Sequence, residues 1–306
     1  MIIRVLGSAA GGGCPQWNCA CANCRGAREG SAHIEPRTQE CVAVSADGEA
    51  WFLLNASPEI RAQIEAFPAL HPRRLRDSPI EGILLTNGDL DHTLGLLCLR
   101  ESQPLVVHAT EAVRRGFVEG NVLYRTLQRM PGQVTWKTLP LGVPVELTAN
   151  GSPAGLSAES FAVPGKLPIH LDGLAAARSG EENVGLRIQE HLSGRILVYL
   201  PAVGRLTPEV LSAATSADCL FFDGTFWSED ELVRLGASEK RASDMAHLPI
   251  GGEDGSLAAL GRLRTPIRIY IHLNNTNPVL SEVSPEHGFA RRAGWRIARD
   301  GMELAL

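Results

Sequence analysis

An α/β protein with sheets inside and helices outside is the fold class that the sequence predicts, as a single domain over residues 1–306. Three observations predict it. Short apolar runs of strand character alternate with helical stretches along the chain, which is the pattern of layered α/β folds. Acidic and histidine residues fall three times just after apolar strands, at Asp89/Asp91/His92, Asp223 and His272, and loops at a sheet edge are where chemistry collects. No linker, low-complexity tract, heptad or tandem repeat divides the chain.

The elements follow in order. Ile2–Leu6 reads as a strand, and Gly11-Gly12-Gly13 leads from it into a cluster of cysteines. Trp51–Leu54 is a second apolar strand. Ser57-Pro58-Glu59 supplies an N-cap, a first-turn proline and an early carboxylate for a helix running through Ile64. Ile80–Leu85 is a buried strand that ends in Thr86-Asn87-Gly88-Asp89-Leu90-Asp91-His92. A helix is predicted from Leu94 to Glu101, a strand over Pro104–His108, and a helix capped by Thr110. From Val134 the pattern turns β-rich, with Val184–Gln189 and Arg195–Leu200 paired across Ser193-Gly194. Strands Cys219–Phe222 and Ile267–Ile271 end in Asp223-Gly224-Thr225 and His272-Leu273-Asn274-Asn275.

Hydrophobic content of 44% with 21% charged residues is that of an ordinary globular protein. The net charge of -5 gives no electrostatic footprint for nucleic acid or anionic membrane, so small molecules, metals or another protein are the expected partners. No window reaches the ~18 apolar residues of a membrane span. Met1–Gly7 is too short for a signal sequence, and clustered thiols without one indicate metal ligation rather than disulfides. The expected compartment is the cytoplasm.

Cys19, Cys21 and Cys24 place three thiols within six positions of a loop, where they can converge on one tetrahedral Zn²⁺. With a fourth protein ligand such a site keeps no open position, and its role is structural. Spacing leaves that fourth ligand open between Cys14, His247 and Asn275. Iron–sulfur ligation is the weaker alternative, with Cys41 as its fourth thiol.

The loop Thr86–His92 resembles the metallo-β-lactamase superfamily signature, a strand followed by T-H-x-H-x-D-H. Asp91 and His92 match its last two metal-binding members, while Asn87 and Asp89 stand where its histidines belong. Val198–Ala202 lacks the bridging aspartate of that region. His272 matches the superfamily's last histidine, and Asp223-Gly224-Thr225 with His247 resembles features of its ribonuclease Z and phosphodiesterase branches. The whole chain, from Met1 onward, resembles the coenzyme PQQ synthesis protein B family. The segments Gly12–Cys19, Asn55–Arg61, the Asp91-His92 loop, Asp223–Trp227, His247–Gly252 and His272–Pro278 carry that resemblance. It implies a metallo-β-lactamase-like αββα sandwich, with two mixed sheets inside and helices on both outer faces.

Dinuclear hydrolases need both metals, and the missing ligands leave one. Asp91, His92 and His272 form a two-histidine, one-carboxylate face, the set used by non-haem Fe(II) oxygenases. The resemblance implies an Fe²⁺ site (or Zn²⁺ as purified) that hydroxylates the tyrosine ring of a glutamate–tyrosine PQQ precursor with O₂. Asp89 is then an extra ligand or a base for the phenol, and Asp223 orients a ligand or the substrate amine. Other PQQ-pathway proteins are possible partners. Two other readings stand beside this one: a non-enzymatic carrier of PQQ or its precursor towards the periplasm, and a metal-dependent hydrolase. His33, His71, His108, His170, His191 and His287 lack ligand spacing and read as surface or structural residues. Cys98 reads as core, Trp17 and Trp227 as packing residues, and Arg73-Arg74 with Arg76 as a solvated loop.

Overall fold

The computed structural model describes residues 1–167 and 179–306, so His170 lies outside the described residues. Two seven-stranded mixed sheets pack face to face. From edge to edge the first is Glu303–Ala305, Ile2–Gly7, Cys41–Ser45, Trp51–Leu54, Ile80–Leu84, Leu105–Ala109 and Val134–Thr138. The second is Trp295–Ile297, Ile267–Ile271, Cys219–Asp223, Ile196–Leu200, Val184–Glu190, Ser152–Ala162 and Val145–Ala149. The predicted αββα sandwich is therefore the observed one.

Period-2 alternation builds the layers, because successive side chains of a strand point to opposite faces. Val42, Val44, Phe52 and Leu54 meet Leu186, Ile188, Leu197, Tyr199 and Phe221 between the sheets. Their neighbours Cys41, Ala43, Trp51 and Leu53 face outward onto Ile60, Val113 and Phe117. On the other outer face Val198, Leu220, Phe222 and Tyr270 are covered by Val210, Ala214, Leu260 and Ala290. Each fully buried Leu, Phe or Val contributes roughly 1.5–3 kcal/mol, so these three apolar layers outweigh the intrinsic preference of the short helices. The C-terminal strand returns to the first sheet beside Ile2–Gly7, and the Met1 amino group donates to the Leu306 carbonyl at 3.0 Å.

Strand direction places the site. Trp51–Leu54, Ile80–Leu84 and Leu105–Ala109 run parallel, as do Ile196–Leu200, Cys219–Asp223 and Ile267–Ile271. Their C-terminal ends gather at one edge of the sandwich. Cys41–Ser45 is antiparallel to Trp51–Leu54, with Val42 opposite Leu54, so it brings its beginning to that same edge.

Several local expectations change. The helix read from Leu94 to Glu101 is instead two four-residue turns, Leu90–Thr93 and Gly95–Cys98. The Gly95 N–H donates to the Ala56 carbonyl at 2.9 Å, which breaks a continuous helical ladder there. Ser57 does not cap the helix Ile60–Glu65; its hydroxyl is turned to the Gln63 side chain at 3.0 Å. Trp17 is 87% exposed and packs no core. Thr110 does cap Glu111–Glu119, accepting from Val113 N–H. Among the described residues no helix is long and apolar enough to cross a membrane.

Candidate metal centres

The loop after Ile80–Leu84 is anchored before it turns. Asn55, held at φ +63° at the end of the neighbouring strand, accepts from the Thr86 N–H (2.9 Å) and hydroxyl (3.1 Å). The Asn87 side chain accepts from the Asp89 N–H, and its amide donates to Asn183, so both ends of the Asn87 amide are engaged. The turn Leu90–Thr93 then presents Asp91 and His92. Across the edge His272, at φ +58°, ends the strand Ile267–Ile271 and sets its Nε2 at 3.1 Å from Asp91 Oδ2. One ligand atom from each of Asp91, His92 and His272 lies within 4.8 Å of the others.

Hydrogen bonding assigns the ring tautomers. Thr86 donates to Asn55, so its oxygen accepts the Nδ1 proton of His92 at 3.3 Å. Thr225 donates to Asp223 at 2.6 Å and accepts from His272 Nδ1 at 2.8 Å. Both rings thereby turn Nε2 towards Asp91, with His92 Nε2 at 3.9 Å from Oδ2. Metal-binding histidines are held in this way, through the nitrogen that does not ligate. His92 Nε2 is buried and has no hydrogen-bond partner among the described residues. Between His272 Nε2 and Asp91 the contact calls for a proton or a cation. Two imidazole lone pairs and a carboxylate fit a divalent transition metal.

The electrostatics agree with a cation site. Burial works against ionisation of Asp91, yet the His92 and His272 rings hold its carboxyl well below the usual range. Burial pushes His92 down to about 4, keeping a ligating lone pair at neutral pH. For His272, burial is outweighed by Asp91, Asp223 and Glu40, and its pKa is raised. Burial and then the Asp91 charge raise Asp89, against the lowering effect of the Lys166, His272 and His247 charges.

Asp223, His247 and His272 form a second group that shares His272. Asp223 is fully buried and accepts from Val203 N–H, Thr225 N–H, the Thr225 hydroxyl and His247 Nδ1, the last at 2.7 Å. So saturated a carboxylate acts by orienting His247 directly and His272 through Thr225. The His247 and His272 rings stack with centroids 5.4 Å apart. His247 thus belongs to this centre, which removes it as a fourth ligand for the cysteines.

Cys19, Cys21 and Cys24 converge within 4.8 Å. They do not all lie in a loop, since Cys21 caps the helix Ala22–Arg28 and Cys24 sits in its first turn. Amide N–H groups of Gln16, Cys21 and Cys24 point at the sulfurs at 3.3–3.5 Å, favouring thiolates. Burial raises Cys21 to about 11, whereas hydrogen bonds from Cys21 and its neighbours outweigh burial and lower Cys19. Of the candidate fourth ligands, Asn275 lies on the cluster, its side-chain amide 3.3 Å from Cys24 Sγ and its carbonyl 3.5 Å from Cys21 Sγ. Cys14 is buried beside Cys24. Cys41 lies in the core, bonded to the Asn55 carbonyl, and cannot complete the set.

Sequence reasoning missed Glu40, Asn55, Thr86 and Thr225 as parts of the site. Glu40 is fully buried with its Oε2 at 3.5 Å from His92 Nε2, and burial pushes its carboxyl up to about 8. The signal was an acid directly before the apolar run Cys41–Val44.

Residues 50–273 match the model of the beta-lactamase superfamily domain. Coenzyme PQQ synthesis protein B of Methylococcus capsulatus is 44% identical over 308 residues, covering 100% of both chains. The protein of that name from Rhizobium meliloti is 45% identical, over 99% of this chain and 97% of its own. A crystal structure of Zn²⁺-bound PqqB from Methylobacterium extorquens superposes with a TM-score of 0.92 at 43% identity, covering 100% of both chains. A diphosphatase of the PhnP family shares the fold, with a TM-score of 0.67 at 20% identity, over 100% of this chain and 97% of its own. The chain belongs to the coenzyme PQQ synthesis protein B family, within the beta-lactamase superfamily.

Proposed function

We propose that this protein acts in coenzyme PQQ biosynthesis as a non-haem iron, O₂-dependent hydroxylase of the tyrosine ring in the glutamate–tyrosine precursor. The observation that carries this reading is the face of Asp91, His92 and His272, with both imidazoles turned by Thr86 and Thr225 to offer Nε2 beside one carboxylate. When bound there, Fe²⁺ would supply the activation of dioxygen, which no amino-acid side chain provides. The protein's own work is to fix that geometry and to manage protons. Asp89, whose carboxyl is raised by burial, would serve as the base that accepts the phenol proton. His247, oriented by Asp223, offers its other ring nitrogen to substrate. The Zn²⁺-bound relative supports metal at one or both clusters, and the proposed occupant of Cys19, Cys21 and Cys24 is a structural Zn²⁺.

The test is anaerobic loading with Fe(II), then exposure to O₂ with a reductant and a cross-linked glutamate–tyrosine substrate, reading ring hydroxylation by mass. The parent gains oxygen on the ring, and His272→Ala does not while keeping its zinc. If His272→Ala hydroxylates as fast as the parent, this residue set is wrong. A parent that binds PQQ tightly and oxidises no tyrosine substrate would be a carrier instead.

A further inference from the structure

Glu40 is a buried carboxylate beside His92 that the reading above leaves without a task. It precedes the strand Cys41–Ser45, it has no solvent exposure, and its N–H donates to the Ala9 carbonyl at 2.8 Å. Oε2 accepts from Asn55 Nδ2 at 3.0 Å and stands 3.5 Å from His92 Nε2. Among the described residues Oε1 has no hydrogen-bond partner, and neither does His92 Nε2. Burying a carboxyl with a free oxygen carries an uncompensated desolvation cost unless something binds there. The free oxygen and the free ring nitrogen belong to adjacent groups, and that nitrogen is the one His92 turns towards Asp91.

The surroundings fix Glu40 in this place. Asn55, whose amide donates to Glu40, also receives both Thr86 bonds, and Thr86 in turn orients His92. Glu40, Asn55, Thr86 and His92 therefore form a closed ring of contacts around the His92 side of the centre. Asn55 holds a left-handed backbone (φ +63°) to do this, and such conformations persist where the surrounding structure requires them.

We infer that Glu40 is a fourth protein group of the metal centre, its charge and free oxygen directed to the divalent cation held by Asp91, His92 and His272. A dication beside Asp91 alone keeps a net positive charge in a buried setting, and a second carboxylate neutralises it. The ligand face becomes two histidines and two carboxylates. This inference rests on the metal-centre reading above and deepens it.

The test is a titration of the protein, with its active site stripped, with Co(II) alone. Affinity and the visible d–d spectrum are followed for the parent, Glu40→Gln, Glu40→Ala, Glu40→Asp and His92→Ala. Zinc content and thermal unfolding of each variant establish that the fold is kept, and Glu40→Gln preserves the shape and an acceptor for Asn55. Co(II) affinity is expected to fall about 10- to 100-fold in the Gln and Ala variants, with a changed d–d spectrum and partial recovery in Glu40→Asp. Either the Gln or the Ala variant binding Co(II) within about twofold of the parent, far below that expected loss, would overturn the assignment of Glu40 alone. A parent that binds no Co(II) here, or His92→Ala binding like the parent, would remove the metal-centre reading and this inference together.

Discussion

Thr86 shows how much of this site rests on a single hydroxyl. It donates to Asn55 and accepts from His92 Nδ1, and so decides which ring nitrogen faces Asp91. Thr86→Val keeps the shape and removes that control, so metal affinity should fall about 10- to 100-fold, with a lowered unfolding temperature because His92 Nδ1 loses its buried partner; isothermal titration checks the affinity. Glu231 makes a pH prediction away from the metal. Burial raises its carboxyl to about 7 from an ordinary 4.5, and it accepts from Trp227 N–H at 2.7 Å. The folded state then binds the proton more tightly than the unfolded one. Its contribution is complete below the unfolded pKa and is lost as pH rises through the folded value. Unfolding temperature followed from pH 4.5 to 7 should decline more steeply in the parent than in Glu231→Gln. Asp91, His92 and His272 were legible in the sequence because each follows an apolar strand. Glu40 was not, because an antiparallel strand brings its beginning, not its end, to the site.

At the scale of elements, the segment His272–Asn277 joins the two candidate centres. His272 faces Asp91, while Asn275 lies on the cysteine cluster, and the Asn23 amide donates to the carbonyls of Asn275 and Asn277. Cys21→Ser should release zinc and lower the unfolding temperature, since metal-binding energy is folding energy. A variant that lost zinc yet melted like the parent would show that the cluster is not structural. Strands were read to within a residue or two where both apolar pattern and bounding polar residues were present, as at Trp51–Leu54 and Ile267–Ile271. The helix read over Leu94–Glu101 failed because its break is set by a distant contact. A Cβ on Gly95 would lie 2.4 Å from the Ser57 carbonyl oxygen and 2.7 Å from that of Ala56. Gly95→Ala should therefore cost about 1–3 kcal/mol in urea unfolding, in the range of an overpacked core. It should also weaken metal binding by displacing the Asp91-His92 turn.

Across the whole molecule, the two sheets supply the frame and their shared edge supplies the chemistry. The inter-sheet core draws on strands from Ile2–Gly7 to Ile267–Ile271, so the loop bearing Asp91 and the strand end bearing His272 are fixed by packing far from either. The sandwich was legible through its alternating strands and its family resemblance. The supporting ring of Glu40, Asn55 and Thr86 depended on tertiary closure and had no local pattern to announce it. One metal at the edge is expected, because Asn87 is engaged by Asn183 and Asp223 is saturated by its own partners. Anaerobic equilibrium dialysis against Fe(II), with zinc counted separately, tests that most directly. One tightly held iron per chain, lost in His272→Ala while the zinc at Cys19, Cys21 and Cys24 stays, is the predicted result. Two tightly held irons at the edge in the unaltered protein, or an iron retained by His272→Ala, would contradict it.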